Sequence, residues 1–174
     1  QHPPLSDIAA IRIELGPDAD LVKAVTDTGE RPELADLIAE ALAFDVDLTA
    51  EAEPADKIEV LVERRSLGQH FRRYGALVAV RFRGAAGRFT YYRHQPEGTR
   101  TAALYDPDGR PQRRSLLRSP VRFHHVASES RAMMPPSVEI VAGRAGALYR
   151  RPEGAPVVAL GDGVVRLVEE TPDA

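Results

Sequence analysis

The chain of 174 residues contains no cysteine and no tryptophan. Without cysteine there can be no disulfide and no thiolate metal site, although this does not assign a compartment. Long hydrophobic runs are missing as well: no stretch approaches the roughly 18 apolar residues that a membrane-spanning helix needs. The sequence does not open with a secretory signal, a state it shares with the processed form of an exported chain. Hydrophobic residues reach 43% and charged residues 28%, enough to fold around a real core. The length suits one ordinary domain or two small ones.

A net charge of −3 conceals an uneven distribution. Residues 1–63 hold 16 acids against 4 bases, whereas residues 64–131 hold 4 acids against 15 bases, every one an arginine. Such asymmetry can mark nucleic-acid binding. No binding motif accompanies these arginines, so they are read as a solvated, arginine-rich sheet face and no nucleic-acid partner is assigned.

Periodicity outlines an α+β domain. Residues 1–6 read as a loose arm. Ile8 to Leu15 reads as a strand with Ile11, Ile13 and Leu15 on one face. Gly16-Pro17 breaks it, and Asp18 is placed to cap a short helix carrying Leu21, Val22 and Val25. Thr28-Gly29 ends that helix, and Pro32 fits the first turn of the next. Leu34, Leu37, Ile38, Ala41 and Leu42 then follow helical spacing. In Phe44-Asp45-Val46-Asp47-Leu48 the two aspartates could serve as metal ligands or a catalytic pair; between apolar anchors they read as turn and cap residues. Glu53-Pro54-Ala55-Asp56 reads as a turn. Lys57 to Arg64, Tyr74 to Arg83, Phe89 to Arg93 and Thr101 to Tyr105 read as four strands. Their short connections predict an antiparallel meander, with small helices packed on the sheet and Ile58, Val60, Val62, Val78 and Val80 facing them.

The stretch Leu104-Tyr105-Asp106-Pro107-Asp108-Gly109-Arg110 ends a strand and turns. Pro107 presets φ and Gly109 supplies a positive φ. A basic segment follows and stops at Ser119-Pro120-Val121. This stretch resembles the junction between the accessory and catalytic domains of LytM-type (lysostaphin-like) zinc peptidoglycan endopeptidases. Three more pieces resemble the accessory domain of that family, in order and at matching spacing: Ala43 to Leu48, Asp56 to Arg64 and Arg73 to Val80. A last piece, Pro152-Glu153-Gly154-Ala155-Pro156-Val157 with Gly161-Asp162-Gly163-Val164-Val165, resembles a hairpin of the catalytic domain. The resemblance implies an accessory α+β domain over residues 1–120. Over residues 121–174 it implies a truncated, degenerate, all-β LytM-like segment that stops before any H-x-H motif.

Catalytic zinc needs three protein ligands and one open position for water. In the family these ligands are a first His, the Asp of an H-x-x-x-D motif and the second His of the H-x-H motif. Counting back from Pro152, the H-x-x-x-D positions fall on Arg144 and Leu148, and the first His falls near Pro135. No Asp lies between Asp108 and Asp162, and no His follows His125, so a slip of a residue or two restores nothing. An arginine would also repel a dication. The resemblance therefore carries no metal, no cofactor and no catalytic residue to this chain.

The remaining candidates read as structural. His124 and His125 are adjacent, so on a strand they face opposite ways and cannot share a metal. His70 and His94 read as surface residues. Ser128-Glu129-Ser130 has no His placed to activate a serine. Gly161-Asp162-Gly163 lacks the lysine of a phosphate loop and reads as a turn between two apolar strands, Val157 to Leu160 and Val164 to Val168. An unpaired hairpin of this kind invites a partner, with Val157, Val158, Leu160, Val164, Val165 and Leu167 as the interface. Three functions stay open: a non-catalytic envelope protein that binds or regulates a peptidoglycan hydrolase, half of a split zinc peptidase completed by another chain, and a stand-alone peptidoglycan-binding module. All three imply a periplasmic or otherwise exported location.

Overall fold

Alternation of apolar and polar side chains generates the sheet, and one stripe of aliphatic residues generates the helix that covers it. The computed structural model describes residues 4–68, 70–112, 116–121, 123, 137–141, 144–149 and 154–168. Strand β1 spans Pro4–Glu14, helix α1 Leu21–Asp27 and helix α2 Glu33–Leu42. Four strands follow: β2 (Lys57–Leu67), β3 (His70–Gly84), β4 (Gly87–His94) and β5 (Ala103–Tyr105). All five strands form one antiparallel sheet in sequential order β1-β2-β3-β4-β5. The α+β meander expected from the sequence is thus present, with both helices inserted between β1 and β2.

One face of the sheet packs against the helices. Leu34, Ile38 and Leu42 of α2 are fully buried with Ile58, Val62, Val80 and Phe82 of the sheet. Leu37 is only half-buried. On the strand side, Val78 departs from the expected set. A register shift opposite Leu61 and Val62 leaves Val78 as an extra residue on β3, and Leu77 takes the inward position opposite Val62. This is the effect of a β-bulge, which reverses the alternation on one strand alone.

Several boundaries differ from the sequence reading. Strand β1 begins at Pro4 and stays paired with β2 out to Leu67, so residues 4–6 are not a loose arm. The Ser6 hydroxyl donates to Glu63 at 2.6 Å, a polar tie that hydrophobic periodicity cannot reveal. Asp20, not Asp18, caps α1, accepting from the Lys23 N–H at 3.0 Å. Strand β5 is shorter than Thr101 to Tyr105.

Asp56, 3% exposed, ties the sheet's near end together. Its carboxylate accepts from the N–H groups of Glu53 and Ala85, each at 3.0 Å. Gly84 lies so close that a Cβ there would sit 2.1 Å from Asp56 Oδ1. Glycine is required at this point by close approach.

Beyond the sheet, residues 116–121 run beside residues 156–160. Leu117 N–H donates to Leu160 O at 2.7 Å, Val158 N–H donates to Pro120 O at 2.8 Å, and Val121 bridges Val157. Arg118 N–H donates to Ala43 O at 3.1 Å, which fastens this ribbon to the end of α2. A separate two-stranded ladder pairs β6 (Ser137–Val141) with β7 (Arg144–Leu148). The expected apolar hairpin is not seen: residues 158–168 form no strand ladder. Only the isolated bridge at Val157 is made, because Val121 and not Val164 to Val168 comes alongside it.

Candidate functional site

The ribbon of residues 117–121 and 156–162, with Phe123, faces α2 and the loop that follows it across an open cavity of about 650 Å³. Its apolar lining includes Ala39, Val46, Leu48, Val121, Phe123 and Val158. Asp36, Glu40, Asp47 and Asp162 line it with carboxylates. Beside it, Arg118 pairs with Glu51. Burial pushes the Glu51 carboxyl up, but hydrogen bonds from Arg118 and the Asp47 N–H outweigh burial and hold it below its usual range.

Of the Asp45/Asp47 pair, Asp47 fills the expected turn role, whereas Asp45 holds tertiary partners far along the chain. Asp47 accepts from the Thr49 N–H at 3.0 Å and the Thr49 hydroxyl at 2.6 Å, an Asx-type turn. Asp45 points the other way and is 8% exposed. It accepts from the Tyr91 hydroxyl at 2.8 Å and from Gln112 Nε2 at 3.3 Å. Gln112 Nε2 also donates to Ala41 O. The two carboxylates therefore serve separate networks and do not converge on one ion.

Of the three positions that motif spacing sets against the family's ligands, Arg144 opens β7 and Leu148 closes it, paired with Val141 and Ser137 respectively. Pro135 lies outside the described residues, as do His124, His125 and Ser128 to Ser130. His70 begins β3, and His94 ends β4, with its ring edge-on to Tyr105 at 5.9 Å. Among the described residues no group of three His, Cys, Asp or Glu side chains could hold a metal ion. Among the described residues no helix is long and apolar enough to cross a membrane.

The interface candidates divide. Val158 and Leu160 line the cavity, and Val157 is 76% exposed despite its bridge to Val121. Val164 and Val165 are each 78% exposed and Leu167 is 71% exposed. Val168, at 79%, extends the same patch.

Sequence reasoning missed Gln112 and Tyr91 as partners of Asp45. Nothing local marks them: the two residues are separated by 46 and 67 positions from the carboxylate they share. The turn before Gln112 was legible. Asp106 accepts from the N–H groups of Asp108 and Arg110 at 3.0 and 2.8 Å, and Gly109 has φ +78°.

No family model matches the chain. In sequence it is similar to the peptidoglycan DD-endopeptidase ShyC of Vibrio cholerae, 29% identical over 130 residues, covering 74% of this chain and 29% of that protein. The chain thus spans less than a third of that relative's length. Among solved structures it overlaps a zinc-containing peptidase from Vibrio cholerae at TM-score 0.45 and 22% identity, covering 95% of this chain and 50% of that one. It overlaps Csd3 of Helicobacter pylori at TM-score 0.49 and 20% identity, covering 72% of this chain and 33% of that one. The resemblance to LytM-type peptidoglycan endopeptidases inferred from the motifs is borne out by the sequence match.

Proposed function

We propose that this chain is a non-catalytic LytM-like protein of the bacterial cell envelope, which binds a peptidoglycan hydrolase or takes its place in an envelope complex through the segment 157–168. The observation that carries this reading is the exposure of Val164, Val165, Leu167 and Val168, each between 71% and 79%, on a stretch that no strand ladder engages. Exposed, strand-forming apolar residues are a template for a partner strand and a hazard without one. Similarity to a peptidoglycan endopeptidase supports the envelope location and the peptidoglycan context. The residue types at the aligned ligand positions support the non-catalytic half of the reading. Proline, arginine and leucine side chains offer a zinc ion no lone pair, and Arg144 brings a positive charge.

Two measurements test it. Elemental analysis of the purified chain is expected to find zinc far below one ion per molecule; about one zinc per chain overturns the non-catalytic reading. The Val165→Asp/Leu167→Asp variant should keep its circular dichroism and lose co-purification with a peptidoglycan hydrolase. Unchanged co-purification removes segment 157–168 as the interface.

A further inference from the structure

The helices cover one face of the five-stranded sheet, and the register assigns the residues of the other. Reading across β1 to β4, one row runs Glu14, Lys57, Arg83, Arg88. The next runs Arg12, Glu59, Arg81, Thr90. A third runs Ala10, Leu61, Ala79, Tyr92 and reaches Tyr105 on β5. Each of these alternates with a buried neighbour, such as Ile13, Ile58, Val80, Phe82 and Tyr91, so all face away from the core.

The first two rows carry five cations against two carboxylates, an excess of three positive charges in a protein whose net charge is −3. Glu59 is shared by three guanidiniums, at 3.4 Å from Arg12, 3.1 Å from Arg81 and 3.3 Å from Arg83. One carboxylate cannot neutralise three arginines. Arg81 and Arg83 remain 47% and 50% exposed, with donors to spare. Arg88 makes no ion pair among the described residues. Beside this cationic end the third row presents an apolar strip, with Leu61 40% and Tyr92 47% exposed. His94 and Tyr105 meet edge-on at its far side.

We propose that this outer face binds an acidic polysaccharide, a sugar chain bearing carboxylates. The charge excess selects a polyanion, because guanidiniums take carboxylates in paired hydrogen bonds. The rows of this face line no part of the cavity beside α2, and a solvent-exposed sheet face suits an extended polymer better than a small molecule, which needs a concavity. The exposed Tyr92 ring and the half-buried Tyr105 on the same row offer apolar surface to the C–H faces of sugar rings. This surface is independent of the hydrophobic segment 157–168, so failure of either assignment leaves the other standing.

Affinity electrophoresis of the full chain through gels containing polygalacturonate tests the proposal, with neutral dextran as the control polymer and a single-stranded oligonucleotide as a second polyanion. Retardation is expected with polygalacturonate and not with dextran, and it should weaken as salt rises. Arg83→Gln/Arg88→Gln should weaken binding roughly three- to tenfold, the size of two solvent-exposed charge contacts. Glu59→Gln, which releases three guanidiniums, should tighten binding, an outcome that a merely damaged sheet does not produce. Circular dichroism checks that each variant is folded; where a variant is not, the salt dependence and the dextran control on the native chain decide. Absence of retardation, or binding indifferent to both Glu59→Gln and Arg83→Gln/Arg88→Gln, overturns the proposal. Equal retention by the oligonucleotide, or unchanged binding by Tyr92→Ala, overturns the sugar assignment.

Discussion

The Tyr91 hydroxyl donates a 2.8 Å hydrogen bond to the Asp45 carboxylate, joining strand β4 to the loop after α2 through two side chains that are 5% and 8% exposed. Gln112 completes this contact from the far side of the Asp106–Gly109 turn. Three parts of the chain with no local relation thus share one buried carboxylate. Tyr91→Phe keeps the ring and removes the donor. It should cost about 1.5–3 kcal/mol, the range for a hydrogen bond to a charged group. Urea unfolding at neutral pH measures the loss; a change near zero would place the stabilisation of Asp45 elsewhere.

Ile38 sits at full burial between α2 and the sheet. Ile38→Ala should lower stability by about 2–5 kcal/mol, through lost transfer free energy and the cavity left behind. An exposed residue of α2, Glu40, gives the control. Its replacement by alanine should stay within about 0.5 kcal/mol in the same titration.

Gly84→Ala tests the Asp56 clamp. The added methyl meets Asp56 Oδ1 at 2.1 Å, and that oxygen is already held by the Ala85 N–H. Relief requires breaking a hydrogen bond or shifting the β3–β4 turn, so a loss of about 1–3 kcal/mol is expected. Gly29→Ala has open space around it but a φ of +82°, and should be destabilising for the separate reason of backbone strain.

Stability on the acid side should depend on Glu63. Hydrogen bonds from Arg65, Ser6 and the Ala76 N–H depress its carboxyl from 4.5 to about 2. A depressed pKa means that the folded state favours the ionised form. The contribution is therefore present above the unfolded value, near 4.5, and is lost as pH falls toward about 2. Glu63→Gln should flatten the fall in melting temperature across that window and leave neighbouring windows unchanged.

The alkaline side should depend on Tyr74. Burial, reinforced by the hydrogen bond to Glu30 at 2.7 Å, pushes its phenol from 10.0 up to about 12. A raised pKa means that the folded state favours the neutral phenol. Its stabilisation is complete below pH 10 and is lost as pH rises through about 12. Tyr74→Phe should remove that alkaline loss, at the expense of the bond from the Arg31 N–H to the phenol oxygen. Chemical denaturation between pH 9 and pH 12 distinguishes the two proteins.

By itself the sequence determined whatever repeats at short range. Leu34, Ile38 and Leu42 lie on one helical stripe, and Ile58, Val60 and Val62 alternate on a strand, because burial of one face imposes its period on the residues that supply it. The Asp106–Gly109 turn was legible because its residues act on their own backbone. The motif order that marks LytM-like chains, and the residue types at Pro135, Arg144 and Leu148, are likewise properties of sequence alone. Tertiary structure decided the rest. The bulge that turns Leu77 inward in place of Val78 is a relation between two strands, and neither strand carries its signal. Val157 meets Val121 instead of folding onto Val164 to Val168, because strand pairing is settled by which backbone arrives alongside, not by β propensity. Asp45, Tyr91 and Gln112 find one another only after the sheet and α2 are in place. The cationic outer face emerges the same way, since arginines scattered from residue 12 to residue 88 become neighbours only through register.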